Sequence, residues 1–148
     1  MLQLYEDSSA VQGTIPRYHF TLKKIVLLIL VHKKPEDSLF AKFVSGDIPV
    51  KKIFEDEHCI AFNDIAPQAP VHVLIIPKIP ISGIAGMEEK HKETVGHLYY
   101  VASKLAQQLH VHDSGYRIVT NNGDHGQQTV YWLHLHLLGG RQLTWPPG

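Results

Sequence analysis

The chain has 148 residues, of which 44% are apolar and 19% charged, so it can form one domain with a sizeable hydrophobic core. Its fourteen basic and fourteen acidic side chains cancel, which excludes a strong overall attraction to nucleic acid or to an anionic membrane. Any anionic ligand must therefore be held by a local site. The single cysteine, Cys59, excludes an intrachain disulfide, and its apolar neighbours predict a buried, unreactive thiol. We expect an intracellular protein, cytoplasmic or nuclear.

Residues 1–36 differ in character from the rest and are predicted to be an N-terminal extension, followed by a single domain over residues 37–148. The apolar run at residues 25–31 is far shorter than the ~20 residues that a transmembrane helix needs. No small-residue cleavage site of a signal peptide follows it. We therefore expect no membrane span. An added strand, a partner-binding segment or an odd translation start remain open for this extension.

The domain is predicted to begin with a short helix that Asp37 or Ser38 caps, that runs through Val44 and that Gly46 ends. Turn residues then separate predicted strands at 53–55, 59–63 and 72–76. Apolar residues spaced three and four apart predict an amphipathic helix at 88–109. A strand at 116–120, a polar loop at 121–128 and a strand at 130–138 complete the pattern. Strands in runs with two segregated helices predict an α+β domain with a mainly antiparallel sheet.

The last predicted strand carries the most informative pattern. Its residues alternate between two faces, with Trp132, His134 and His136 on one. The other face is predicted to be core and comprises Tyr131, Leu133, Leu135 and Leu137. Two parallel imidazoles can attack an electrophile, bind a metal or move protons near neutral pH. A structural, hydrogen-bonded role and a metal site completed by His72 both remain alternatives.

The loop that leads into this strand, residues 121–129, is rich in amide and hydroxyl groups and contains two glycines. Such a loop can direct backbone N–H groups at an anion. A phosphate could then meet amide donors, the hydroxyl of Thr129 and two imidazoles together. Taken alone, the loop could also be an ordinary polar hairpin connection.

The segments at residues 62–78, 128–142 and 145–148 resemble the signatures of the histidine-triad (HIT) nucleotide-binding proteins of the Hint branch. The resemblance covers residues 37–148. It implies a HIT-like α+β fold, with one long and one short helix, that forms a homodimer. It further implies a site for a purine nucleoside 5′-monophosphate and hydrolysis of the P–N bond of the corresponding phosphoramidate, with no metal or other cofactor.

The resemblance also assigns roles to individual residues of this chain. His134 matches the nucleophile, His136 the histidine that contacts the phosphate and assists proton transfer, and His72 a supporting histidine. Asp64 matches the carboxylate that binds the ribose hydroxyls, although it could instead cap a turn. The remaining residues of the implied site are Asn121 and Thr129 as polar contacts to phosphate or leaving group, Gln127 through its backbone, Asn63, and an apolar wall of Leu39, Phe40, Phe43, Phe62 and Ile65.

Two positions depart from the family pattern. Trp132 stands where the first histidine of the triad is expected, and an indole donates one hydrogen bond and accepts none. Gln127 stands where a small residue is usual. Two functional hypotheses follow: an active phosphoramidase, and a purine-nucleotide-binding or scaffold protein whose catalysis is reduced or lost because of Trp132.

Overall fold

The computed structural model describes residues 34–147, so the predictions for residues 1–33 lie outside it. A 3₁₀ turn at Pro35–Asp37 precedes two α-helices and five strands, and further 3₁₀ turns lie at Ile84–Gly86 and Glu89–His91. The main elements are α1 (Leu39–Ser45), β1 (Lys52–Glu55), β2 (Cys59–Asn63), β3 (Val71–Pro77), α2 (Lys92–Gln108), β4 (Tyr116–Val119) and β5 (Leu135–Gly139). Within residues 34–147, none of the helices has the length and apolar character needed to cross a bilayer.

The five strands form one sheet in the order β1-β2-β3-β5-β4, and every neighbouring pair is antiparallel. This arrangement confirms the predicted α+β class and the predicted strand order along the chain. β3 lies at the centre of the sheet, which accounts for its nearly continuous apolar sequence. β5, which carries His136, is inserted between β3 and β4.

The two faces of the sheet bury different clusters. Successive residues of a strand point to opposite faces, so along β3 Val73 and Ile75 pack under α2, while Leu74 and Ile76 join the cluster that contains Phe40 of α1. The α2 cluster includes Val95, Leu98, Val101, Ala102, Leu105 and Ala106 together with Leu133, Leu135 and Leu137. The α1 cluster is smaller and comprises Phe40, Ile60, Phe62, Leu74, Ile76 and Trp132.

The predicted helix ends are largely confirmed. The Ser38 hydroxyl accepts a hydrogen bond from the Ala41 N–H at 3.2 Å, and Gly46 ends α1 with φ of 84°, a conformation that glycine adopts without strain. The predicted helix at 88–109 is α-helical only from Lys92, because a 3₁₀ turn forms its first residues. The difference is one of helix type at the N-terminus.

The predicted strand at 130–138 is shorter than expected, since its ladder begins at Leu135 opposite Ile75. Pro77 ends β3 and has no N–H to offer, and the Leu133 N–H instead donates to the Ile81 carbonyl. The alternation nevertheless continues upstream, because Trp132 and Leu133 belong to opposite clusters. Tyr131 was expected in the core but is only partly buried, and its hydroxyl donates to the Asp124 carboxylate.

The turn between β1 and β2 is fastened to α2 by Asp56. Its carboxylate accepts hydrogen bonds from the backbone N–H groups of His58 and Cys59, and its Oδ2 lies 2.6 Å from Nε2 of His97. Burial raises the pKa of Asp56, but these hydrogen bonds outweigh it and lower the value to about 2. Cys59 is fully buried, and burial raises its thiol pKa to about 12, as expected for an unreactive cysteine.

Candidate functional site

A cavity of about 250 Å³ lies on the sheet face that α1 covers. Ten of the residues predicted for the nucleotide site line it: Leu39, Phe40, Phe43, Phe62, Asn63, Asp64, Ile65, Thr129, His134 and His136. His72, Asn121 and Gln127 do not belong to the lining. Val50, Leu74 and Val130 line the cavity and escaped the sequence prediction. Leu74 could have been predicted from the alternation of β3, which places it on the same face as His72.

His134 is held in a single tautomer by its own chain. Its Nδ1 lies 2.6 Å from the Trp132 carbonyl oxygen, which can only accept, so Nδ1 carries the proton and Nε2 keeps its lone pair. Phe40 packs its ring edgewise against the imidazole at a centroid distance of 5.3 Å. Burial lowers the pKa of His134, which the Trp132 hydrogen bond and the Asp64 charge oppose. The result is a neutral imidazole with a nucleophilic nitrogen in the wall of the cavity.

His136 is held in the opposite tautomer by His72. Nδ1 of His72 accepts the Gln68 N–H at 3.1 Å, so its Nε2 carries a proton and donates it to Nδ1 of His136 at 2.8 Å. The remaining nitrogen of His136, Nε2, therefore bears a hydrogen. Among residues 34–147, this atom is buried and has no hydrogen-bond partner. Because buried donors are normally paired, it is a ready donor for an acceptor in the cavity.

The electrostatics of this histidine group favour neutral rings. Burial, followed by the neighbouring charges of His134 and His72, lowers the pKa of His136 to about 4, while Asp64 opposes the shift. Burial also lowers the pKa of His72. The rings of His134 and His136 lie 4.9 Å apart between centroids, so the two sites of opposite hydrogen-bonding character are adjacent.

Asp64 faces both a turn and the histidines. Its Oδ1 accepts the Ala66 N–H at 2.8 Å, which is the turn-capping arrangement left open by the sequence. Its Oδ2 lies 3.4 Å from Nε2 of His72 and 4.0 Å from Nδ1 of His136. The carboxylate also lines the cavity, so one oxygen caps the turn while the other faces the imidazoles.

The metal alternative named His72, His134 and His136, but the structure groups the residues differently. Potential ligand atoms of Asp64, His72 and His136 all lie within 4.8 Å of one another, and His134 is not part of this group. A second group of this kind joins Asp56, Cys59 and His97. In both groups the side chains already hydrogen-bond to one another.

The loop at residues 121–129 contributes Thr129 to the cavity wall. Thr129 lines the cavity beside both histidines, whereas Asn121 turns back to donate from Nδ2 to the Gln127 carbonyl at 3.4 Å. Gln127 has φ of 59°, the left-handed conformation that glycine adopts most easily. This backbone conformation explains why the family pattern has a small residue at position 127.

In this α+β domain, the antiparallel sheet places a nucleophilic imidazole beside a hydrogen-bond-donating imidazole in an apolar cavity. The fold and the site together define a class of small proteins with a paired-histidine site. The sequence model of the HIT domain matches residues 45–143, and the chain belongs to this family. This result confirms the HIT fold that the sequence resemblance implied.

Three similar proteins illustrate the relationship. Protein pkiA of Dictyostelium discoideum is 52% identical over 118 residues, which cover 77% of this chain and 91% of the relative. The 14 kDa zinc-binding protein of Zea mays is 50% identical over 113 residues, 75% of this chain and 88% of the relative. The crystal structure of a HIT family hydrolase from Legionella pneumophila has a TM-score of 0.73 and 49% identity, covering 74% of this chain and 98% of its own.

Proposed function

We propose that this protein is a Hint-type nucleoside phosphoramidase that hydrolyses the P–N bond of purine nucleoside 5′-phosphoramidates through a nucleotidyl-His134 intermediate. The observation that carries the proposal is the hydrogen bond from Nδ1 of His134 to the Trp132 carbonyl. This bond fixes the Nδ1–H tautomer and leaves Nε2 as the nucleophile. The family match and the resemblance of residues 62–78 and 128–148 to the Hint branch support the assignment.

The substrate is proposed to lie across the cavity with its phosphoryl group between the two imidazoles. The unpartnered Nε2–H of His136 donates to a phosphoryl oxygen and stabilises its charge. The apolar wall formed by α1 and Phe62 packs against the purine, and Asp64 accepts from the ribose hydroxyls. We propose that the active unit is a homodimer of this chain.

In the first step, Nε2 of His134 forms a bond to phosphorus while the P–N bond to the amine breaks. The departing nitrogen takes a proton that the Thr129 hydroxyl relays from water. The phosphorylated imidazole is cationic because its Nδ1 keeps its hydrogen, and the Trp132 carbonyl at 2.6 Å stabilises that charge.

In the second step, a water molecule attacks phosphorus and the P–Nε2 bond breaks. The attacking water releases one proton to solvent, which balances the proton taken up in the first step. His134 returns to its neutral form with Nδ1–H still on the Trp132 carbonyl. Nucleoside monophosphate and free amine are the products, and no metal takes part.

Trp132, which we place at the position of the first triad histidine, does not enter these steps through its side chain. Its indole Nε1 donates to the Pro77 carbonyl at 2.9 Å, inside the α1 cluster. The group that touches His134 is the backbone carbonyl, which any residue at position 132 supplies. This favours the active enzyme over the alternative of a nucleotide-binding or scaffold protein with lost catalysis.

The test is incubation of the purified protein with adenosine 5′-phosphoramidate in the presence of a chelator. We expect AMP formation by the native chain and by His112→Ala, an exposed histidine outside the cavity, and none by His134→Ala. Rapid base-quench with mass spectrometry should find the nucleotidyl adduct on His134. AMP bound without turnover by the native chain would support the scaffold alternative, and turnover that survives His134→Ala would refute the mechanism.

A further inference from the structure

One buried amide side chain ties the loop at residues 121–129 to a distant segment of the chain. Nε2 of Gln128 donates to the carbonyls of Ser82 at 2.6 Å and Val130 at 3.2 Å, and its Oε1 accepts the Gly123 N–H at 2.9 Å. Gln128 is almost completely buried. It therefore holds both ends of the loop together and fastens them to residue 82.

A second amide reinforces the same junction. Oδ1 of Asn122 accepts the Ala85 N–H at 2.9 Å. Gly83 lies between the two amides, and a Cβ atom there would stand 2.8 Å from Asn122 Oδ1 and 3.0 Å from Gln128 Nε2. The φ of Gly83 is 165°, which is extended backbone, so this glycine provides space and not an unusual conformation. We call Gln128, Asn122 and Gly83 the amide clamp.

The amide clamp flanks Thr129, one of the residues that line the cavity. Thr129 follows Gln128 directly, and the next carbonyl, that of Val130, is one of the acceptors of Gln128. Thr129 and Val130 line the cavity together with His134 and His136. The backbone on both sides of Thr129 is thus fixed by a side chain that does not itself line the cavity.

We propose that Gln128 is a positioning residue that, with Asn122 and Gly83, holds the Thr129 hydroxyl against the leaving group of the substrate. This inference rests on the proposed phosphoramidase function and goes beyond it by assigning the control of the proton-donating side to the amide clamp. A displacement of about 1 Å at a reacting group costs roughly 100-fold in rate. The clamp acts on the leaving-group side, so nucleotide binding by the apolar wall and Asp64 does not depend on it.

The principal variant is Gly83→Ala, because the three atoms nearest to the added Cβ all belong to the side-chain amides of Asn122 and Gln128. Gly96→Ala is the matched control, since a Cβ at position 96 meets no atom within 4 Å. We expect Gly83→Ala to lower kcat about 10- to 100-fold, with AMP affinity unchanged within about threefold. The control should keep the native kcat.

The dependence of the rate on the pKa of the leaving amine distinguishes a misplaced Thr129 hydroxyl from a loss of protein stability. Phosphoramidates with amines of increasing basicity need the relayed proton more, so the rate of Gly83→Ala should fall more steeply with amine pKa than that of the native chain. Asn122→Ala removes only one arm of the clamp and should give the same change in slope at smaller size. It also serves if Gly83→Ala does not fold. Native slopes in both variants would overturn the proposal.

A measurement that needs no turnover keeps the two proposals distinguishable. Amide hydrogen exchange in residues 121–129 should be faster in Gly83→Ala than in Gly96→Ala, because the clamp restrains the loop. If the native chain hydrolyses no phosphoramidate, the proposed function fails, whatever the loop does. If the native chain is active but loop exchange and kcat are the same in both variants, the clamp fails and the function stands.

Discussion

Nε2 of His72 lies 2.8 Å from Nδ1 of His136, and this hydrogen bond decides which nitrogen of His136 faces the cavity with a proton. This chain of hydrogen bonds begins at the Gln68 N–H, which donates to Nδ1 of His72. A backbone donor thus sets the tautomers of two rings in sequence. His72 itself does not line the cavity, although it was predicted as a catalytic residue.

Replacement of His72 by leucine should lower kcat about 10- to 100-fold, by analogy with metal-binding histidines that lose the partner orienting their ring. The physical reason is that Nδ1 of His136 loses its donor, so both tautomers become accessible. Kinetics with adenosine 5′-phosphoramidate and nitrogen chemical shifts of the His136 ring would measure the two effects. An unchanged His136 tautomer in His72→Leu would contradict the prediction.

Acidification should destabilise the protein through the buried histidines. The folded-state pKa of His136 is lowered to about 4 from an ordinary value near 6.5, so the unfolded state binds more protons between these values. Stability from this group is fully present above about pH 6.5 and is lost as pH falls toward 4. Thermal unfolding at pH 7 and pH 5 should show a smaller difference for His136→Gln than for the native chain. Equal differences would exclude His136 as a source.

Trp132→Phe should lower the free energy of unfolding by about 1–3 kcal/mol, because the Pro77 carbonyl loses its buried donor. Turnover should survive, since the backbone carbonyl that holds His134 is unchanged. Urea denaturation and kcat of the same preparation would test both parts. Trp132→His is the complementary variant, and a large gain in turnover there would favour the view that Trp132 has impaired an ancestral enzyme.

Gln127→Gly should raise the free energy of unfolding by about 0.5–1 kcal/mol, because φ of 59° strains a residue with a Cβ. Gln127→Val should lower it, since a β-branched side chain tolerates this conformation poorly. His110→Gly, at φ of 56° but at the end of α2, is a matched control for the conformational effect outside the site. Destabilisation by Gln127→Gly would show that the side chain outweighs the strain.

Ile65→Ala should leave stability unchanged within about 0.5 kcal/mol while weakening AMP binding, because Ile65 lines the cavity yet is 98% exposed. Phe62→Ala is the contrasting variant: Phe62 is buried in the α1 cluster, and its loss should cost about 3–5 kcal/mol. Calorimetric AMP titration and thermal unfolding of both variants would show whether each residue serves AMP binding or core stability. Native AMP affinity in Ile65→Ala would remove this residue from the proposed site.

Periodicity in the sequence located most elements within two residues. It gave the bounds of β2 without error and put Trp132 and Leu133 on opposite faces. Capping preferences offered Asp37 or Ser38 at the start of α1 and Gly46 at its end, and the structure uses Ser38 and Gly46. It overestimated the last strand, because the length of β5 depends on where its partner β3 ends at Pro77. Local pattern cannot contain that information, since a ladder needs both strands.

The sequence by itself determined which side chains share a face, because the two-residue period of a strand is a local property of the chain. It therefore put His134 and His136 on one face, whereas the apolar wall was predicted only from the family resemblance. Only the tertiary structure decided the protonation pattern and the amide clamp. His72 and His136 are 64 residues apart, and Gln128 and Ser82 are 46 apart, so their hydrogen bonds exist only once strand register and loop packing are fixed.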